Sequence, residues 1–208
     1  MKTLAVSMLY LGKILWHPID AYYDITYNKK GSVTASCLIY LLYFIVLIVQ
    51  VMVTNFIFNP MGLHGTPVSQ IFIVNVMPVF VLVIANCLVG SIKGGQGTYK
   101  AVFISTAYAL APVIIFIIPL ALFSNVLTGA EEAIYQSLHR FIYIWMGFLM
   151  YIGIMEVHGY GIVEAVFNSI WIIFAAALLL LFAAAFFGIT FQSASFLFEF
   201  IREAIGYV

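Results

Sequence analysis

Residues 165–198 read AVFNSIWIIFAAALLLLFAAAFFGITFQSASFLF, without one charged side chain. A helix needs about 20 mostly apolar residues to cross about 30 Å of hydrocarbon, and this stretch exceeds that. From Trp171 to Phe187 no apolar–polar alternation occurs, which excludes the strands of a closed β-barrel, the other structure able to span lipid. The fold class follows: an all-α, polytopic membrane bundle.

Three more charge-free stretches lie upstream, Gly31–Ile92, Ala101–Ala130 and Phe141–Met155. Turn-forming residues Asn59, Pro60, Gly62, Gly65 and Pro67 divide the first of them. Five spans are therefore expected, at about 33–54, 70–92, 101–123, 138–157 and 163–189. Residues 1–32 form an N-terminal helical region ahead of the 33–189 membrane domain, and residues 190–208 follow it. Over all 208 residues 65% are hydrophobic and 8% charged, against about 25% charged in a soluble domain. Soluble enzymes and DNA-binding modules are excluded. The net charge of zero offers no field for nucleic acid, and Cys37 and Cys87 sit inside apolar runs, where thiols behave as small hydrophobes.

Basic residues set the expected orientation. With five spans, Lys2, Lys13, Lys29, Lys30, Lys93 and Lys100 share one side, and Arg140 and Arg202 take the other. That places the N-terminus in the cytoplasm and the C-terminus outside. No signal-peptide cleavage site follows residues 4–11, where Lys13, Trp16, His17 and Pro18 stand instead. Leu4, Met8, Leu9, Leu11, Leu15 and Trp16 share one helical face, with Val6 and Ile14 as exceptions, as in a helix lying on the cytoplasmic surface. Phe196, Leu197, Phe200, Ile201, Ala204 and Ile205 make a second such face opposite Glu199, Arg202 and Glu203. This is read as an amphipathic C-terminal helix on the outer side.

Polar residues within this hydrophobic background are the candidates for function. Lys93, Gly94, Gly95, Gln96, Gly97 and Lys100 open the third span. Glycines there could present N–H groups to a phosphate, but the spacing of a nucleotide-binding loop is missing. The competing reading is a tight turn whose glycine supplies a positive φ. Glu156 and His158 stand in the connection between spans four and five; zinc-like ligand spacing and HExxH are both absent. No metal or other cofactor is expected. The two turns together are read as a cytoplasmic partner-binding surface.

Inside the spans, Asn75, Asn86, Thr106, Tyr108 and Pro112 form a candidate intramembrane polar site. Pro112 should kink the third span and free a backbone carbonyl beside these groups. Small-residue pairs Ala184/Gly188 and Ala165/Ser169 permit close helix approach, within the chain or in a homo-oligomer. No nucleophile–base pair or carboxylate pair stands out, so an enzyme is not expected.

The His17-Pro18 step, the Gly94–Lys100 turn, the run Ser105-Thr106-Ala107-Tyr108-Ala109-Leu110-Ala111-Pro112 and the long fifth span resemble the Yip-one domain family of five-span membrane proteins. That family takes its name from interaction with Ypt/Rab GTPases. The resemblance covers about Leu15 to Phe187 and implies a cytoplasmic N-terminus and a partner-binding role without catalytic residues. The short N-terminal region is similar to the prokaryotic branch, some of whose members are encoded beside carbohydrate ABC-transporter components. The implied function is an accessory or scaffold subunit of the bacterial inner membrane that binds another membrane complex, with ABC transporter subunits a candidate partner. A small transporter or channel, and a membrane-shaping protein, are the alternatives. An ABC permease core is not indicated, because Gly129-Ala130-Glu131-Glu132-Ala133 lacks the downstream glycine of the coupling loop.

Overall fold

A computed structural model describes residues 2–206. Seven principal helices carry the chain: α1 (Lys2–Trp16), α2 (Pro18–Thr26), α3 (Val33–Val53), α4 (Val68–Ile92), α5 (Tyr99–Phe123), α6 (Glu132–His158) and α7 (Ile162–Gly206). The last five are each long and apolar enough to cross a membrane, and no strand occurs among the described residues.

Local chemistry sets the helix ends. Ser32 and Thr98 cap α3 and α5, each side-chain oxygen accepting the N–H three residues on, from Ala35 and Ala101, at 3.2 Å. Before α6, the Thr128 N–H donates to the Glu131 carboxylate at 2.9 Å, so that helix begins earlier than its charge-free centre suggests. Prolines interrupt two spans. Ahead of Pro78 the α4 backbone widens into a π turn at Phe72–Val76. The Pro112 kink appears as a break at Leu110, which separates Tyr99–Ala109 from Ala111–Phe123.

The interrupted span is the central one. In α5, 72% of the most apolar window is buried, against 33% in α3 and 11% in α7. Helices α3, α4 and α6 pack around α5, while α7 lies against α4. Connectivity puts Lys13, Lys29, Lys30, Lys93 and Lys100 at one end of the bundle, called here the lysine end. At the opposite end, the Asn55 N–H donates to Ser124 Oγ at 2.9 Å, and Asn125 reaches the Val53 carbonyl at 3.0 Å.

Two expectations change. Helix α1 does not lie apart with its broad apolar face in lipid. It buries Ser7, Leu11, Ile14 and Leu15 and leaves Leu9 and Trp16 exposed, so Ile14, an exception in the surface-helix reading, is fully buried. With α2 it makes a hairpin packed on α3, α5 and α6. Asp24 holds that hairpin, bonded to Lys13 at 2.8 Å, Lys30 at 3.1 Å, Tyr10 at 2.9 Å and Asn28 at 2.7 Å.

The second change is at the C-terminus, where no separate helix begins at residue 190. Helix α7 runs unbroken through that point. The hydroxyls of Thr190 and Ser195 donate to the Phe186 and Phe191 carbonyls of their own helix at 2.8 and 2.7 Å, and no proline interrupts the run.

Candidate functional site

At the lysine end two helices finish in the same way. Helix α4 stops where Gly94 takes φ +73° and the Gly95 N–H returns to the Gly90 carbonyl at 2.8 Å. Helix α6 stops where Gly159 takes φ +68° and the Tyr160 N–H returns to the Met155 carbonyl at 3.0 Å. Both are glycine-dependent caps that use a left-handed residue to satisfy terminal carbonyls. The turns meet through a bond from the Gln96 N–H to the His158 carbonyl at 3.3 Å.

Between them lies His158, 2% exposed. Its Nε2 faces Asn86 Oδ1 at 3.0 Å, a pairing in which Nε2 donates and, in the neutral ring, Nδ1 is left as an acceptor. The ring stacks on Tyr160 at 5.1 Å and 11°. A Cβ at Gly97 would stand 2.7 Å from the imidazole, and one at Gly90 or Gly95 would overlap it. Three glycines thus make room for one ring. His158 Nδ1 and the Tyr160 hydroxyl are buried without a partner, and burial pushes the Tyr160 phenol up, keeping it protonated. Among the described residues no group of three His, Cys, Asp or Glu side chains could hold a metal ion.

The structure therefore joins the two turns expected to form one surface, and divides their residues. Gly95, Gly97 and His158 face inward. Lys93, Gly94, Gln96 and Lys100 are exposed, with the Lys93 ammonium 5.6 Å from the Trp171 ring centre. Glu156 is half-buried, and its carbonyl accepts from the Tyr27 hydroxyl at 3.4 Å.

The intramembrane candidates do not converge. Asn86 and Thr106 border one cavity of about 320 Å³ among α4, α5, α6 and α7, together with Ser105, Tyr151 and Ser169. Asn75 donates to the Ile71 carbonyl at 3.1 Å, satisfying its own irregular turn. Tyr108, fully buried, donates to the Ser7 carbonyl at 3.0 Å and so anchors α1. Pro112 borders a separate apolar groove with Trp16, Phe116 and Trp145. Sequence reasoning missed the Asn86–His158 bond and the Gly147 and Tyr151 lining. Three glycines at 90, 95 and 97 were the available signal that something bulky packs there.

In comparisons with known proteins, the family model described as Yip1 domain matches residues 12–205. No curated protein and no solved structure matches the chain.

Proposed function

The chain belongs to the Yip1-domain family, and from that premise we propose that it is a non-enzymatic accessory or scaffold subunit. It docks onto another integral membrane complex of the bacterial inner membrane. The family's prokaryotic members, some encoded beside carbohydrate ABC-transporter components, make transporter subunits the first candidates for that complex. The positive-inside rule then puts the lysine end in the cytoplasm and the end of α7 outside.

The observation that supports this reading is the state of α7. Its 45 residues extend about 68 Å at 1.5 Å per residue, roughly twice the hydrocarbon thickness. Its packed stripe, Ala165, Asn168, Ile172 and Ala176, lies in the first half. Beyond it Phe182, Phe186, Phe187, Phe191, Phe196 and Phe200 are all exposed. An apolar helix that leaves the bilayer without a partner would expose far more apolar surface than water tolerates. A partner complex supplies the missing cover.

The test is purification of the tagged protein from native membranes in mild detergent, with co-purifying proteins identified by mass spectrometry. A chain ending at Gly188 should fold, since nearly all the described residues beyond it are exposed, and should lose a stoichiometric partner. Exposed-surface variants Gln96→Trp and Lys100→Glu report on the cytoplasmic turn; Gly95 is unsuitable, because any side chain there strikes His158. Recovery of the wild-type protein alone, or only as a homo-oligomer, refutes the accessory reading.

A further inference from the structure

The cavity beside Asn86 carries an inference that does not depend on the accessory role. Its polar groups are incompletely used. Ser169 Oγ is buried with no hydrogen-bond partner. Asn86 commits Oδ1 to His158, and its Nδ2 donates to nothing among the described residues. Thr106 gives its proton to the Val102 carbonyl at 2.9 Å, which leaves its oxygen free to accept. Buried polar atoms in folded proteins almost always find partners, and these three residues line one space.

The walls and openings restrict what fills that space. Among the described residues no Lys, Arg, Asp or Glu borders it, so a charged group would be buried without a counter-ion. The remaining lining is apolar, from residues such as Leu82, Met150 and Ile172. Toward the lysine end, Asn86 on its wall is bonded to His158, itself boxed by Gly90, Gly95 and Gly97. Sideways, between α6 and α7, it is open. Gly147 is exposed and a Cβ there would meet nothing within 4 Å, while Ile173 opposite is 63% exposed. Counting 1.5 Å per residue, Ser169 lies about 10 Å and Gly147 about 16 Å from the lysine end, within the depth of one leaflet.

We propose that this cavity binds the head of a neutral, hydroxyl-bearing lipid of the diacylglycerol or long-chain alcohol class, entering sideways from the bilayer. A hydroxyl both donates and accepts, which matches the Asn86 amide and the Thr106 and Ser169 oxygens. A volume of about 320 Å³ takes the head and the first chain carbons, and the tails leave between α6 and α7 into the membrane.

The experiment uses the full chain reconstituted in phosphatidylcholine vesicles, with a diacylglycerol that carries a photoreactive diazirine near the head and a clickable tail. Expected is saturable labelling in the segments around Gly147–Ile154 and Ser169–Ile173, competed by unlabelled diacylglycerol and not by glycerol. Gly147→Leu should close the mouth and abolish the labelling. Ser169→Ala, which keeps the walls intact, should weaken it about fivefold, the loss of one hydrogen bond. Gel filtration verifies that each variant is folded, and the alanine variant serves alone should the leucine one fail. A phosphatidylcholine probe of the same chain length that labels these segments equally well overturns the proposal, since that is ordinary surrounding lipid. Competition by glycerol also overturns it, in favour of a water-soluble polyol, as does labelling unchanged by Ser169→Ala.

Discussion

Substituting alanine at Gly90 tests the glycine box around His158. The new methyl would overlap the imidazole, and the ring has nowhere to go. Gly95 and Gly97 bound it on other sides, Tyr160 stacks on it, and Asn86 fixes Nε2 at 3.0 Å. Overpacking of this kind costs about 1–3 kcal/mol, and displacing the ring from Asn86 adds about 1 kcal/mol. Against this stands the helical preference of alanine over glycine, at most about 1 kcal/mol so close to the end of α4. The net expectation is a destabilisation of about 1–3 kcal/mol. In a His158→Ala background the obstacle is gone and only the helical preference remains, so the same substitution should become neutral or stabilising by up to about 1 kcal/mol. The coupling between the two positions is then about 2–4 kcal/mol, the overpacking and the lost bond together. Equilibrium unfolding in mixed micelles of the four proteins of the cycle measures it. Additive effects, or a wild-type tolerance of Gly90→Ala, would refute the claim that these glycines exist to accommodate the histidine.

The Asp24 latch should make stability depend on pH at both extremes. Lys13 first, then Asn28, Tyr10 and Lys30, hold the Asp24 carboxyl well below the usual carboxylate range. The bond to Asp24 raises Lys13, while Tyr10 and Asp24 raise Lys30. A depressed carboxyl contributes above about pH 4, its ordinary value, and loses that contribution as pH falls through its folded value. Raised lysines contribute below about pH 10.4 and lose it as pH rises through theirs. The difference in thermal midpoint between wild type and Asp24→Asn should therefore be constant across neutral pH and shrink at both ends; a difference that peaks at an extreme would sink the assignment. Tyr108→Phe removes the 3.0 Å bond to the Ser7 carbonyl and should cost about 0.5–1.5 kcal/mol in unfolding experiments, with faster proteolysis of α1; unchanged cleavage there would show that the bond does not hold the helix.

The five spans were legible because charge is excluded from hydrocarbon and Asn59–Pro67 breaks the longest gap. Gly94 was legible as a turn residue for the same reason that it adopts φ +73°. What His158 does was not legible. Asn86 and Gly90 lie on a different span, some seventy residues away in sequence, and no periodicity links them. In α1 the amphipathic pattern was visible, but a face suited to lipid is also suited to protein. Only the packed bundle selects Ile14 over Leu9. A separate C-terminal helix was expected from the apolar face opposite Glu199, Arg202 and Glu203, yet an amphipathic pattern does not end a helix whose backbone bonds continue.

The N-terminal hairpin also imposes an order in time. Helix α2 rests against α6, which is complete only at His158, roughly 130 residues after Thr26. At 5–20 residues per second that interval is on the order of ten seconds. Throughout it, α1 and α2 lack the α6 face on which they finally rest, and the bilayer interface offers cover for their apolar residues. The hairpin is thus made well before its seat on α6 exists, and its earlier lodging is the very interface that its sequence pattern describes.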